Sequence, residues 1–126
     1  MTQLVYVDRS RVRKGALGQL KPAIAELAEV VEEHEPRLVS YSVYFTEDGS
    51  EMTVVHVHVD AASLDHHMDV LESRLDRFAG FLTLSSIDIY GEPSARAVGQ
   101  LRAKIGLLGA GELTVHGPHA GFSRVG

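Results

Sequence analysis

The chain has 126 residues, 44% of them hydrophobic, which is the size and apolar content of one globular domain with its own core. A formal charge of −5, with Lys and Arg mostly scattered, argues against nucleic acid and against a membrane as partners, since both attract a concentrated positive field. The absence of cysteine excludes disulfides and thiolate chemistry, and no signal-like start or apolar run of about 18 residues is present, so the expected compartment is cytoplasmic.

Residues 4–8, β-branched and aromatic, predict a first strand. The basic run from Arg9 to Lys14, with Asp8 beside it, reads as a solvated loop. Over residues 16–34, Leu17, Leu20, Ile24, Leu27 and Val31 recur at alternating spacings of three and four, which puts one apolar stripe on a helix. Pro22 predicts either a helix start nearby or a bend in its first turns. Residues 37–45 and 52–60 predict a second and a third strand joined by a turn at Thr46–Ser50.

Two registers fit that hairpin. A two-residue Asp48-Gly49 loop opposes Val43 to Val54 and Tyr41 to His56, whereas a three-residue loop opposes Tyr41 to Val55. The three-residue loop is preferred because it gathers Val39, Tyr41, Val43, Val55, Val57 and Val59 on one side. Residues 63–81 carry a second helical stripe (Leu64, Met68, Leu71, Leu75, Phe78), with Ser63 as the expected N-cap. Residues 84–90 alternate as a fourth strand. A third helix follows Pro93 with Val98, Leu101, Ile105 and Leu108, and Glu112 to His116 could add a short strand within a Gly-rich tail.

The order β-α-β-β-α-β is that of the ferredoxin-like α+β fold, formed by residues 1–93, with residues 94–126 as a helix-and-tail extension of the same domain. One sheet face is expected to carry Val5, Val7, Ile87, Ile89 and the hairpin valines. The other is expected to carry Tyr6, Ser40, Ser42, Tyr44, His56, His58, Ser86, Asp88 and Tyr90. One layer of helices covers one face only. The second face has no Lys or Glu, which suits burial in a homodimer or against a ligand.

Glu35-Pro36 leading into residues 38–44, and the run from Asp60 to His67, resemble the antibiotic-biosynthesis-monooxygenase-like group of dimeric α+β barrels over about residues 4–93. Two positions depart from it: Arg37 stands where Gly is usual, and His58 stands where an aromatic is usual. The resemblance implies a homodimer and a cavity that handles a phenolic or quinol substrate with no metal, flavin or other cofactor. It also implies that His67 faces that cavity.

His67, at the edge of the second helix's stripe, is the candidate catalytic acid or base, because its ordinary pKa lies near neutrality. His56 and His58 alternate with valines and so point to one side of their strand. They are candidate substrate-binding groups, together with Tyr44 and Tyr6, whose rings and hydroxyls suit an aromatic ligand. In this reading His67 manages a proton, His58 and Tyr44 orient the ring, and dioxygen reacts with the deprotonated substrate. Two alternatives remain: a non-catalytic dimeric module that binds a ligand or partner, and a histidine-based metal or haem site. No phosphate loop, dinucleotide fingerprint or nucleophile elbow is present.

Overall fold

A computed structural model describes residues 3–124. The elements are β1 (Leu4–Val12), α1 (Leu17–His34), β2 (Leu38–Phe45), β3 (Glu51–His58), α2 (Ala61–Leu71), a 3₁₀ turn (Asp76–Gly80), β4 (Leu82–Tyr90), α3 (Ala95–Leu108) and β5 (Gly109–His116). They form an α+β fold with one open sheet in the order β2-β3-β1-β4-β5. The first four strands pair antiparallel in the ferredoxin-like arrangement, and β5 joins parallel to β4 after the α3 crossover.

The basic run does not form a loop throughout. Its residues 9–12 continue β1, with Arg9 and Arg11 exposed on the open face and Ser10 buried. α1 continues through Pro22, whose missing N–H cannot serve the Gly18 carbonyl. Both residues are exposed, so water can serve that carbonyl. The second helix is shorter than its stripe implies. It ends at Leu71, and the 3₁₀ turn then carries Phe78 into the core. Its N-cap is Asp60, not Ser63: the Asp60 carboxylate accepts from the Ser63 N–H at 3.0 Å.

The hairpin takes the register that sequence alone ranked second. Val43 opposes Val54 and Tyr41 opposes His56. The loop itself has four residues. Thr46 N–H donates to Glu51 O, and Gly49, at φ 73°, donates to Thr46 O. Asp48 braces it by accepting from Thr46 Oγ1, Ser50 Oγ and Ser50 N–H, which holds its carboxyl down at about 2. A four-residue loop has the same parity as a two-residue loop, so every β3 side chain lies on the opposite face from the three-residue case.

The faces are therefore redrawn. Leu4, Tyr6, Asp8 and Ser10 of β1 point to the helices, together with Met52, Val54, His56 and His58 of β3 and Ile87 and Ile89 of β4. Tyr41 and Val43 share that face. Val5, Val7, Val55 and Val57 turn away from it, with Ser42, Tyr44, Asp88 and Tyr90. Most of the valines thus lie on the open side, and His56 and His58 lie inside. A break in register between Leu38 and Ser40 leaves Val39 41% exposed.

β5 lies so close to β4 that a side chain does not fit at its start. A Cβ on Gly109 would stand 2.5 Å from Leu84 O and 2.8 Å from Leu84 N. Gly109→Ala is expected to lower unfolding stability by about 1–3 kcal/mol, as forced overpacking does. Urea denaturation checks this, and amide exchange should show β5 loosening first.

Candidate functional site

The site lies between the sheet and the helices. β1 and β3 set Tyr6 opposite His56 and Leu4 opposite His58, and β2 adds Tyr41 opposite His56. On α2, Ser63 and His67 are four residues apart and so share the inward face with Leu64, Met68 and Leu71. α1 stops at His34 because Pro36 disfavours helical backbone at Glu35. Glu35 caps the helix through its N–H to Val31 O, and its side chain turns inward.

That turn makes the central contact of the site. His67 Nδ1–H donates to both Glu35 oxygens, at 2.8 and 2.9 Å, and both side chains are 1% exposed. The bond fixes the tautomer: in the neutral ring, Nε2 is the free acceptor. A second row runs along the sheet. Ser63 Oγ and His58 Nδ1 are 2.8 Å apart, and His58 Nε2 and His56 Nδ1 are 2.6 Å apart. The His56 ring lies 3.9 Å from the Tyr6 ring and 4.5 Å from that of His67. Tyr6 O–H donates to Asp8 Oδ2 at 2.7 Å, while the Lys104 ammonium donates to Tyr6 Oη at 2.6 Å and to Asp8 Oδ2 at 3.1 Å. A carboxylate–imidazole bond, Glu35 with His67, and an ion pair, Asp8 with Lys104, thus flank a row of rings.

Burial governs the titration of these groups. It pushes His56 well below the ordinary imidazole value, and the neighbouring His67, His58 and Lys104 lower it further, since a charge on His56 would repel one on any of them. His58 is lowered to about 3 for the same first reason. His67 is lowered by burial too, but the Glu35 hydrogen bond and charge oppose the shift. Burial and the Asp8 carboxylate raise both Tyr6 and Tyr41, so their hydroxyls stay protonated near neutrality.

Two of the spaces that approach the network share Tyr41. A cleft of about 390 Å³ opens between the end of α1 and β2, with Glu35, Leu38, Ser40 and Tyr41 among its walls. A cavity of about 30 Å³ lies inside, lined by aliphatic side chains and by Asp8, Ser10, Tyr41 and Lys104. Tyr41 borders both spaces.

Four of the residues singled out from sequence, Tyr6, His56, His58 and His67, are brought together here. Tyr44 is not: the register turns it to the open face, where it is 57% exposed opposite Thr53. Tyr90 also lies outside, stacked on His116 at 4.4 Å. Sequence reasoning missed Glu35, Asp8, Tyr41 and Lys104 as members of this site. Lys104 had a visible signal, because Ala97, Leu101, Lys104 and Leu108 form the buried stripe of α3 and a lysine there needs a partner. Among the described residues, no three of His, Cys, Asp and Glu stand where they could hold one metal ion. His56 and His58 bond to each other instead of converging on a shared point.

No protein-family model matches the chain, and no curated protein does. Solved structures do. MupZ from Pseudomonas fluorescens superposes with a TM-score of 0.74 at 15% identity, over 98% of this chain and 96% of that one. A point mutant of SnoaB, a cofactor-independent oxygenase from Streptomyces nogalater, matches at TM-score 0.59 and 15% identity, over 75% of this chain and 97% of that one. A candidate antibiotic biosynthesis monooxygenase from Caulobacter crescentus matches at 0.63 and 15%, over 70% and 87%. The chain has the antibiotic-biosynthesis-monooxygenase-like fold. Within that fold the match to MupZ covers nearly the whole chain, whereas the other two leave at least a quarter of it unmatched.

The depressed histidines make stability depend on pH. In the unfolded chain a histidine titrates at about 6.5, whereas in the fold His58 stays neutral down to about 3. Between those limits the unfolded state binds protons that the folded state refuses. Stability should therefore fall as pH drops from about 7 to about 4, by up to about 1.4 kcal/mol per pH unit for each such histidine. Urea midpoints across that range check the sign. A His58→Asn variant should show a shallower slope.

Proposed function

We propose that the protein is a small-molecule enzyme that removes a proton from a phenolic or quinol-type substrate, with His67 as general base. The observation that carries this reading is the buried Glu35–His67 pair. The carboxylate orients the ring and stabilises the imidazolium that forms, which leaves Nε2 to take the proton. The α1–β2 cleft, at about 390 Å³, has the size of a small-ligand site, and Glu35 and Tyr41 stand on its wall.

The finer reading is oxygenation without a cofactor. Loss of the hydroxyl proton leaves an electron-rich anion, and dioxygen adds to a ring carbon bearing hydrogen. The His67 proton completes the hydroperoxide. Elimination of water from the H–C–O–OH unit leaves one oxygen as a quinone carbonyl and releases the other as water, so the substrate itself supplies the electrons. The oxygenase named among the structural neighbours supports this choice of chemistry. His67→Ala and Glu35→Gln should each lower oxygen uptake with hydroxynaphthoquinols, the first by about 10²–10⁴-fold, with circular dichroism unchanged. Full turnover by folded His67→Ala would remove the base from this role.

We also propose that a second copy of the chain covers the open sheet face. Val5, Val7, Val55 and Val57 form its centre, and Tyr44 and Tyr90 are large exposed side chains around them. Arg9 and Asp88 lie together on that face, 3.5 Å apart. A face holding both signs can pair with itself about a twofold axis. Light scattering at micromolar concentration should give a dimer mass, and Val55→Glu should give a monomer with its thermal transition intact.

A further inference from the structure

Lys104 is a charged residue on the buried stripe of α3, 8% exposed, and Asp8 is a carboxylate on the central strand. Ion pairs this deeply buried seldom add stability over an apolar pair of the same volume. The geometry around this pair indicates a further use. An ammonium has three N–H donors, and two of those on Lys104 go to Tyr6 Oη and Asp8 Oδ2. The same side chain lines the inner cavity, beside Asp8, Ser10 and Tyr41. Tyr41 borders both that cavity and the outer cleft, where Glu35, the partner of His67, stands.

We propose that Lys104 receives the ionised oxygen of the substrate, and that the pocket takes a ring with a hydroxyl or enolisable carbonyl. This deepens the proton-abstraction reading and rests on it. In the step, the substrate O–H (or the C–H next to the carbonyl) breaks and its proton goes to His67 Nε2. The electron pair stays on the substrate as a phenolate or enolate, whose oxygen accepts the third Lys104 N–H. The substrate gains one negative charge and His67 one positive charge, so the site keeps its net charge and needs no oxidant. Asp8 and Tyr6 act as positioning residues: the carboxylate and the hydroxyl hold the ammonium at the cavity edge. The cation belongs to α3, so the extension after β4 supplies part of the site.

The test uses 4-nitrophenol, a redox-inert probe whose phenolate absorbs at longer wavelength than its neutral form. The full-length protein is titrated with it under argon, below the probe's own solution pKa. The expected result is a bound-phenolate band with wild type. In Lys104→Met that band should be lost and affinity should fall about 10–100-fold, the worth of a hydrogen bond to a charged group. Because Lys104→Met leaves Asp8 unpaired, the doubly changed D8N/K104M serves as a folded control and should also lack the band. Lys104→Arg should restore part of it. Absence of a phenolate band in wild type, or its persistence in either lysine-free variant, overturns the proposal. Oxygen uptake separates the two readings: a Lys104-dependent band without quinol oxidation keeps the oxyanion site and removes the oxygenase, while quinol oxidation unchanged in Lys104→Met does the reverse.

Discussion

Asp8 faces the helices from the middle strand of the sheet, and much of the polar interior follows from making that carboxylate tolerable. An unpaired charge there would cost several kcal/mol (order of magnitude). The structure supplies Tyr6 from two residues back on the same strand and Lys104 from α3. The α3 helix is thus tied to the core by an ion pair as well as by Ala97, Leu101 and Leu108. β5 follows directly from α3 and closes on β4 because Gly109 and Gly111 allow the two backbones to touch. Residues 94–126 read as an extension in sequence, yet part of that segment completes the interior on which β1 depends.

The same economy operates at the other end of the site. Glu35 is buried at the end of α1, and the bifurcated bond from His67 occupies both of its oxygens. Between Glu35 at one end and the Asp8–Lys104 pair at the other, His56 and His58 are held neutral, because burial opposes their protonation. A neutral imidazole offers one donor and one acceptor, so His56, His58 and Ser63 can bond in a line without adding charge. This explains how four rings, one ion pair and one buried carboxylate fit in a space that otherwise holds leucine and isoleucine.

Much of this was legible in the sequence, and the failures have specific causes. Apolar periodicity gave the helices and strands nearly in place, because core burial and periodicity are the same constraint. The face assignment failed at Asp48, whose carboxylate gathers Thr46 and Ser50 into a four-residue loop and reverses the parity of β3 relative to the preferred register. Counting valines favoured the wrong side: Val5, Val7, Val55 and Val57 lie on the face without helices, and the rings of Tyr6, His56 and His58 take the covered one with Val54. His56, His58, His67 and Tyr6 were still found, since alternation and helical spacing group them whatever the register. Glu35 and Lys104 come from elements far apart in sequence. Only the tertiary fold brings the first to His67 and the second to Tyr6.

A polar row of this kind is not what folding alone would select. Apolar residues of similar volume at Asp8, Lys104, Glu35 and His67 would give a core at least as stable, since a buried ion pair roughly offsets its own desolvation. The fold does not need these groups for its topology, which β1, β3 and β4 fix through backbone pairing and the leucine-rich layer beneath them. Their placement also differs from that of structural ion pairs, which are commonly scattered. Here Glu35 and Tyr41 stand on the wall of the cleft, Asp8, Lys104 and Tyr41 on that of the inner cavity, and His67 and Tyr6 bond directly to them. Groups that stabilise nothing by being charged, yet are fully partnered and aligned, are in the state that proton transfer requires. They need little reorganisation, and their charges are already balanced when a substrate proton moves.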